Sequence, residues 1–129
     1  MERHVSLLGV LASLWGTLAA IIGVAMLLLA AGALAELLAP LEASVGLAAG
    51  LAAVGFALFG VFALAFGGAH IWAAVLLRGH KPVGRILMLA LAMGNLLVIP
   101  FGTALGAYAL WVLLTNDAHR LFEPHLHQA

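Results

Sequence analysis

Charge placement constrains this chain more than any other feature. In its 129 residues no charged side chain stands between Arg3 and Glu36, none between Glu42 and Arg78, and none between Arg85 and Asp117. Each of these stretches is longer than the roughly 20 apolar residues that cross a bilayer as a helix. A soluble domain carries about 25% charged residues, whereas this chain has 8% and is 66% hydrophobic. So few charges cannot cover a water-facing surface, and the expected solvent is lipid. The expected fold class is all-α, an integral membrane bundle of four transmembrane helices forming one domain over 1–129. The alternative is three long spans, the third kinked at Pro100.

Other classes drop out early. Net charge is zero, which argues against a nucleic-acid partner, because phosphate binding needs a basic face. The chain has no cysteine, which removes disulfides, thiolate catalysis and cysteine-held clusters. The first apolar run is too long for a signal-peptide core of about 7–15 residues, so it is read as a retained span.

Span boundaries follow from breakers and charges. The first helix is expected over about 5–31 and the second over about 45–77. Between them "AELLAPLEAS" reads as a short interfacial turn, broken by Pro40. Gly79 is the expected stop for the second helix, with Pro82 just beyond it or opening the next. Pro100 disfavours helix at Ile99, so a hairpin of helices near 83–98 and 101–115 is favoured. Residues 116–129 read as an amphipathic tail. Asn116 or Asp117 is the candidate cap, Leu121 and Phe122 lie on the membrane surface, and the end is frayed. Arg78, Lys81 and Arg85 share one loop, which the positive-inside rule makes cytoplasmic. Arg3 and Arg120 then fall on the same side, and both termini are cytoplasmic. Trp72 and Trp111 are expected near that interface.

Small residues recur along the helices. Gly9, Ser13, Gly16, Ala20, Gly23 and Ala30 form one stripe, interrupted by Leu27. Gly46, Gly50, Ala53, Ala57, Gly60 and Gly67 form another, interrupted by Leu64, and Gly102, Gly106 and Ala109 a shorter one. Lipid tails are as apolar as leucine, so close packing of small residues drives helix association in a bilayer. The first two helices are therefore expected to form a tight antiparallel pair. The plainer reading is that glycine and alanine are simply abundant here.

His70 is the one histidine well inside a predicted span. It lies eight residues before Arg78, about 12 Å deeper along a helix. An intramembrane ionisable group is a functional candidate, as a ligand for haem or a chlorin or as a proton relay. The structural alternative is a neutral imidazole hydrogen-bonded to Tyr108 or Ser13, which makes Ser13, His70 and Tyr108 the expected buried polar groups. No bound cofactor is expected. His4, His80, His119, His125 and His127 are expected together at the cytoplasmic face, solvated rather than holding a metal. Proton-coupled exporters of this size use an embedded carboxylate, and every acidic residue here lies at a helix end or in a loop. No nucleophile–base pair or phosphate-binding glycine loop is visible, so the chain is not expected to be an enzyme.

"GRILMLALAMGNLL" and "IPFGTALGAYALWVLL" carry a resemblance. Pro100, Gly102, Thr103, Gly106, Tyr108, Trp111 and Phe122 match the pattern of a class of uncharacterised small bacterial four-span membrane proteins. These have a C-terminal segment of the form P-x-G-T-A-L-G-x-Y-x-L-W-V-L-L before a charged tail. The match covers about the last third of the chain, and the first two helices share only their apolar character. Such proteins often carry tryptophan after the loop's proline, where this chain has Val83. The resemblance implies topology and a bacterial inner membrane, and adds no activity. The expected role is a non-catalytic accessory or scaffolding unit whose partners are the lipid bilayer and other membrane helices, of the same or another chain. A small channel or transporter, with a polar path past His70, Asn95, Ser13 or Thr17, is the alternative. A cofactor protein using His70 is the third reading.

Overall fold

The computed structural model describes residues 1–39, 42–98 and 100–123. Every regular element among them is α-helical: α1 (Glu2–Leu38), α2 (Ala43–Arg78), α3 (Pro82–Asn95), α4 (Phe101–Leu114) and α5 (Asn116–Leu121). Two of these, α1 and α2, are long and apolar enough to cross a membrane. The chain forms two compact units, one of Met1–Gly16 with Ala69–Ala129 and one of Thr17–Gly68.

The first helix outruns its expected end. Residues 32–38 stay helical to Leu38, and the Ala39 amide still bonds the Ala35 carbonyl at 3.2 Å. Alanine, leucine and glutamate are strong helix formers, and nothing before Pro40 breaks the ladder. Of the turn expected over "AELLAPLEAS", residues 35–38 belong to α1 and 43–44 to α2. Pro40 itself, like Leu41, lies outside the described residues.

Unit Thr17–Gly68 is an antiparallel helix pair. Gly23 lies against Gly60 and Leu64, while Leu37 lies against Gly50. The contact moves forward on α1 as it moves back on α2, which defines the direction. A β-carbon on Gly23 would meet the Gly60 carbonyl oxygen at 2.9 Å, and one on Gly60 would meet the Gly23 carbonyl oxygen at 2.9 Å. Only glycine allows two backbones this close. The large side chains turn outward: Ile21, Leu28, Leu47, Leu51, Leu58, Val61 and Phe62 are all exposed.

In the other unit, α3 and α4 form a hairpin. Pro82 opens α3, where its missing N–H costs nothing. The helix ends at Asn95, three residues short of the expected 98. The Val98 amide then bonds the Asn95 carbonyl at 2.9 Å, tightening residues 95–98 into a turn. Thr103 satisfies the free Leu96 carbonyl through its hydroxyl at 2.9 Å. Ile99 lies outside the described residues. A β-carbon on Gly106 would stand 2.6 Å from the Ala92 carbonyl oxygen, so the two helices meet backbone to backbone. Each has 14 residues, about 21 Å at 1.5 Å per residue.

The core of this unit is made by Val5, Leu8, Ala12, Ala73, Ala74, Leu77, Met88, Ala92, Ala109, Val112, Leu113, Ala118 and Phe122. Phe122 departs from its expected place on the membrane surface. It is 5% exposed, because Ala118 and Phe122 share one face and α5 folds that face onto the core. Leu121 is half-buried against the same core. The cap of α5 is Thr115, not Asn116 or Asp117. Its hydroxyl donates back to the Trp111 carbonyl at 2.7 Å. Of the frayed end expected over "EPHLHQA", residues 124–129 lie outside the described residues.

Between α2 and α3 the chain makes a Schellman turn. The Lys81 amide bonds the Leu76 carbonyl and the His80 amide the Leu77 carbonyl, each at 3.0 Å. The left-handed position in this turn belongs to His80, with φ 52°. Gly79, the expected stop, stands one residue earlier with an ordinary negative φ.

Candidate functional site

The most buried polar residues are His70, 0% exposed, and Asn95, 1% exposed. They meet directly: the Asn95 amide nitrogen is 2.8 Å from His70 Nε2. On its other side Asn95 Oδ1 accepts the Trp15 indole N–H at 3.2 Å. Three helices of one unit contribute these groups, α1 through Trp15, α2 through His70 and α3 through Asn95.

The hydrogen-bond chemistry sets the direction of this chain. An indole nitrogen can only donate. Trp15 therefore requires the oxygen of the Asn95 amide, and that turns the NH2 toward His70. An NH2 can only donate, so His70 Nε2 is an acceptor and carries a lone pair. The imidazole is neutral with its proton on Nδ1. All three groups are neutral donors and acceptors, which suits a low-dielectric interior. No buried side-chain nitrogen or oxygen among the described residues lacks a partner.

His70 therefore pairs with Asn95, and the expected Tyr108 contact does not form. The Tyr108 hydroxyl instead meets His4 Nδ1 at 3.3 Å, at the first turn of α1. Ser13 donates to the Gly9 carbonyl of its own helix at 2.8 Å. Of the three expected buried polar groups only His70 is fully buried, while Ser13 and Tyr108 are half-buried. Asn95, a lone amide in an apolar run, was the residue to single out. Trp15 gave no sign beyond its type.

The polar end of this unit is built from α1, α3, α4 and α5 and from the Schellman turn. His4 stacks edge-on against Trp111, with ring centroids 5.7 Å apart. Arg85 Nε donates to the Leu113 carbonyl at 3.0 Å, and its guanidinium donates to His119 Nδ1 at 2.5 Å. His80 lies beside Phe122 at 6.1 Å. His4, His80 and His119 thus go to separate neighbours. Among the described residues no three histidines or carboxylates converge as metal ligands. His125 and His127 lie outside the described residues. Trp72 and Trp111 are both exposed.

The small-residue positions form the inner stripes of their helices. Gly9, Gly16, Gly23, Gly46, Gly60, Gly67, Gly102 and Gly106 are buried, and Gly50 is half-buried. Gly9 faces Ala74 and the stem of Arg78. Sequence reading did not single out Gly84, where a β-carbon would stand 2.6 Å from the β-carbon of Leu76. It lies outside the run of small residues and follows directly on the charged loop.

No protein-family model matches this chain, and neither a curated protein nor a solved structure matches it significantly.

Proposed function

We propose that this chain is a four-span protein of a bacterial inner membrane, with both termini cytoplasmic, acting as a non-catalytic accessory or scaffolding unit. The observation that carries the reading is the inverted distribution of side-chain size. In the Thr17–Gly68 pair glycine lines the helix contact, while large apolar side chains such as Ile21, Leu28, Leu51, Leu58, Val61 and Phe62 face outward. A core helix of a soluble protein is mostly buried. In the most apolar 18-residue stretches of α1 and α2 only 6% and 17% of residues are buried. Outward apolar surface on this scale is stable only against lipid or other apolar helices. The hairpin of α3 and α4 supplies the third and fourth spans. Each is shorter than the core of about 30 Å, a mismatch that local thinning absorbs.

The scaffolding role rests on the same surface and on the neutral, mutually satisfied polar centre. A channel would need polar groups directed into a path, whereas Ser13 donates to its own helix and Asn95 bridges Trp15 and His70. His70 Nε2, the nitrogen facing Asn95, is already engaged as an acceptor.

Two measurements test this proposal. A reporter fused after Ala129 is expected to be active only on the cytoplasmic side; a periplasmic C-terminus would reject the four-span topology. Affinity capture from native membranes in mild detergent is expected to recover a stoichiometric helical partner, of this chain or another. A lone monomer would reject scaffolding.

A further inference from the structure

At the charged end of the unit containing both chain ends there is an open cavity of about 460 Å³, lined by Glu2, Val5, Ser6, Leu77, Arg78 and His80. Beneath it lie the core residues Val5 and Leu77, both almost fully covered. Its rim carries opposite charges. Glu2 and Arg78 face the same space, yet no ion pair joins them, and neither has another charged or hydrogen-bonding partner among the described residues. The Arg78 stem lies against Gly9, where a β-carbon would stand 3.3 Å from Arg78 Cγ and 3.5 Å from Nε.

We propose that this cavity binds the headgroup of a zwitterionic aminophospholipid, a phosphodiester joined to a primary ammonium. The proposal rests on the membrane reading, which places the first turn of α1 and the last turn of α2 at headgroup depth. The Arg78 guanidinium presents forked N–H donors suited to phosphate oxygens. The Ser6 hydroxyl and the His80 ring add hydrogen-bonding capacity beside it. The Glu2 carboxylate accepts N–H bonds from the ammonium. A carboxylate and a guanidinium in one cavity, unpaired with each other, complement the two ends of a zwitterion better than they complement an anion. An anionic headgroup would leave Glu2 opposed by like charge. A quaternary ammonium has no N–H for Glu2 to accept.

The test uses the full chain, purified in detergent and stripped of lipid. Dihexanoyl phosphatidylethanolamine, phosphatidylcholine and phosphatidylglycerol are titrated separately and bound lipid is counted by native mass spectrometry. Free phosphoethanolamine and inorganic phosphate form the comparison arms. The ethanolamine lipid is expected to bind about tenfold more tightly than either other lipid, a difference of about 1.4 kcal/mol. Arg78→Gln is expected to weaken it about tenfold, the scale of one charge-assisted hydrogen bond. Arg78→Lys should retain most of the binding. Glu2→Gln should bind the ethanolamine and choline lipids alike. Helix content by circular dichroism separates these losses from unfolding. Equal binding of all three lipids, or unchanged binding by a folded Arg78→Gln variant, would overturn the proposal. Free phosphoethanolamine or phosphate binding as tightly as the lipid would overturn the assignment to lipid. Alkaline carbonate extraction of membranes tells the two readings apart: a retained chain without headgroup preference defeats the cavity alone, and a released chain defeats the membrane reading.

Discussion

The carbonyl oxygen of Gly60 lies 2.9 Å from where a β-carbon on Gly23 would stand, and the Gly23 carbonyl stands in the same relation to Gly60. On each side the obstacles include a backbone carbonyl, which has no rotamer to escape into, beside the Leu64 or Leu27 side chain. The crossing therefore depends on hydrogen at both positions.

Gly23→Ala and Gly60→Ala are each expected to destabilise the pair by about 1–3 kcal/mol, the usual cost of forcing extra volume into a packed contact. Gly32 and Gly55 serve as controls, since a β-carbon there meets nothing within 4 Å. Alanine at those two sites should be neutral or stabilising by up to about 1 kcal/mol, because glycine is a poor helix former. Unfolding in detergent, followed by circular dichroism, separates the two groups. Equal effects at all four positions would sink the account.

The α3–α4 hairpin makes a parallel prediction. Gly106→Ala is expected to cost about 1–3 kcal/mol, because the Ala92 carbonyl occupies the space. Gly94→Ala, in open space one helix away, should cost nothing. Unfolding in detergent, followed by circular dichroism, should show the loss in the first variant and none in the second.

The Trp15–Asn95–His70 chain predicts a strong response at its middle. Asn95→Leu is expected to leave the Trp15 N–H and His70 Nε2 without these partners, at about 1–3 kcal/mol for each buried group. Trp15→Phe removes one donor and leaves the Asn95 oxygen unsatisfied, so it should cost less. A double-mutant cycle between the two positions reports the coupling. Additive costs would mean that the 3.2 Å contact contributes nothing.

The Schellman turn carries its own strain. His80 sits at φ 52°, a region that costs a non-glycine residue roughly 1–2 kcal/mol. His80→Gly is expected to raise stability by about 1 kcal/mol, reduced by the lost contact with Phe122. Gly79→Ala should be nearly neutral, since its φ is negative and a β-carbon would meet only ordinary contacts, the nearest at 3.6 Å. The reverse order of effects in thermal unfolding would show that the turn is assigned to the wrong residue.

Arg85 ties the end of α4 to α5. The Leu113 carbonyl has no partner in its own helix, as in any last turn, and Arg85 supplies one at 3.0 Å while also reaching His119. Arg85→Met keeps the stem and removes the donors, at about 1–2 kcal/mol. Hydrogen exchange should rise over 116–121 and stay unchanged over α1. Protection equal to the unmodified chain in 116–121 would refute this role.

Much of this protein was legible before any coordinates. Three charge-free stretches and a proline define apolar helices and a break near Pro100, because helix formation and burial of charge are decided over short distances along the chain. The inner stripes were visible too, since Gly9, Gly16 and Gly23 recur at a fixed spacing that any helix turns to one side. Helix length was less legible: α1 continues through Glu36 because local propensity overrides an expected turn. What only the tertiary structure decided is which polar groups meet. His70 meets Asn95 rather than Tyr108, and Phe122 enters the core rather than lying flat. Both depend on the stagger of helices past one another and on how α5 folds back. Stagger is set by backbone contacts such as Gly106 against Ala92 and Gly84 against Leu76, between residues 14 and 8 positions apart. Periodicity along one helix shows which side faces a neighbour, and carries no information about how far along the neighbour it lies.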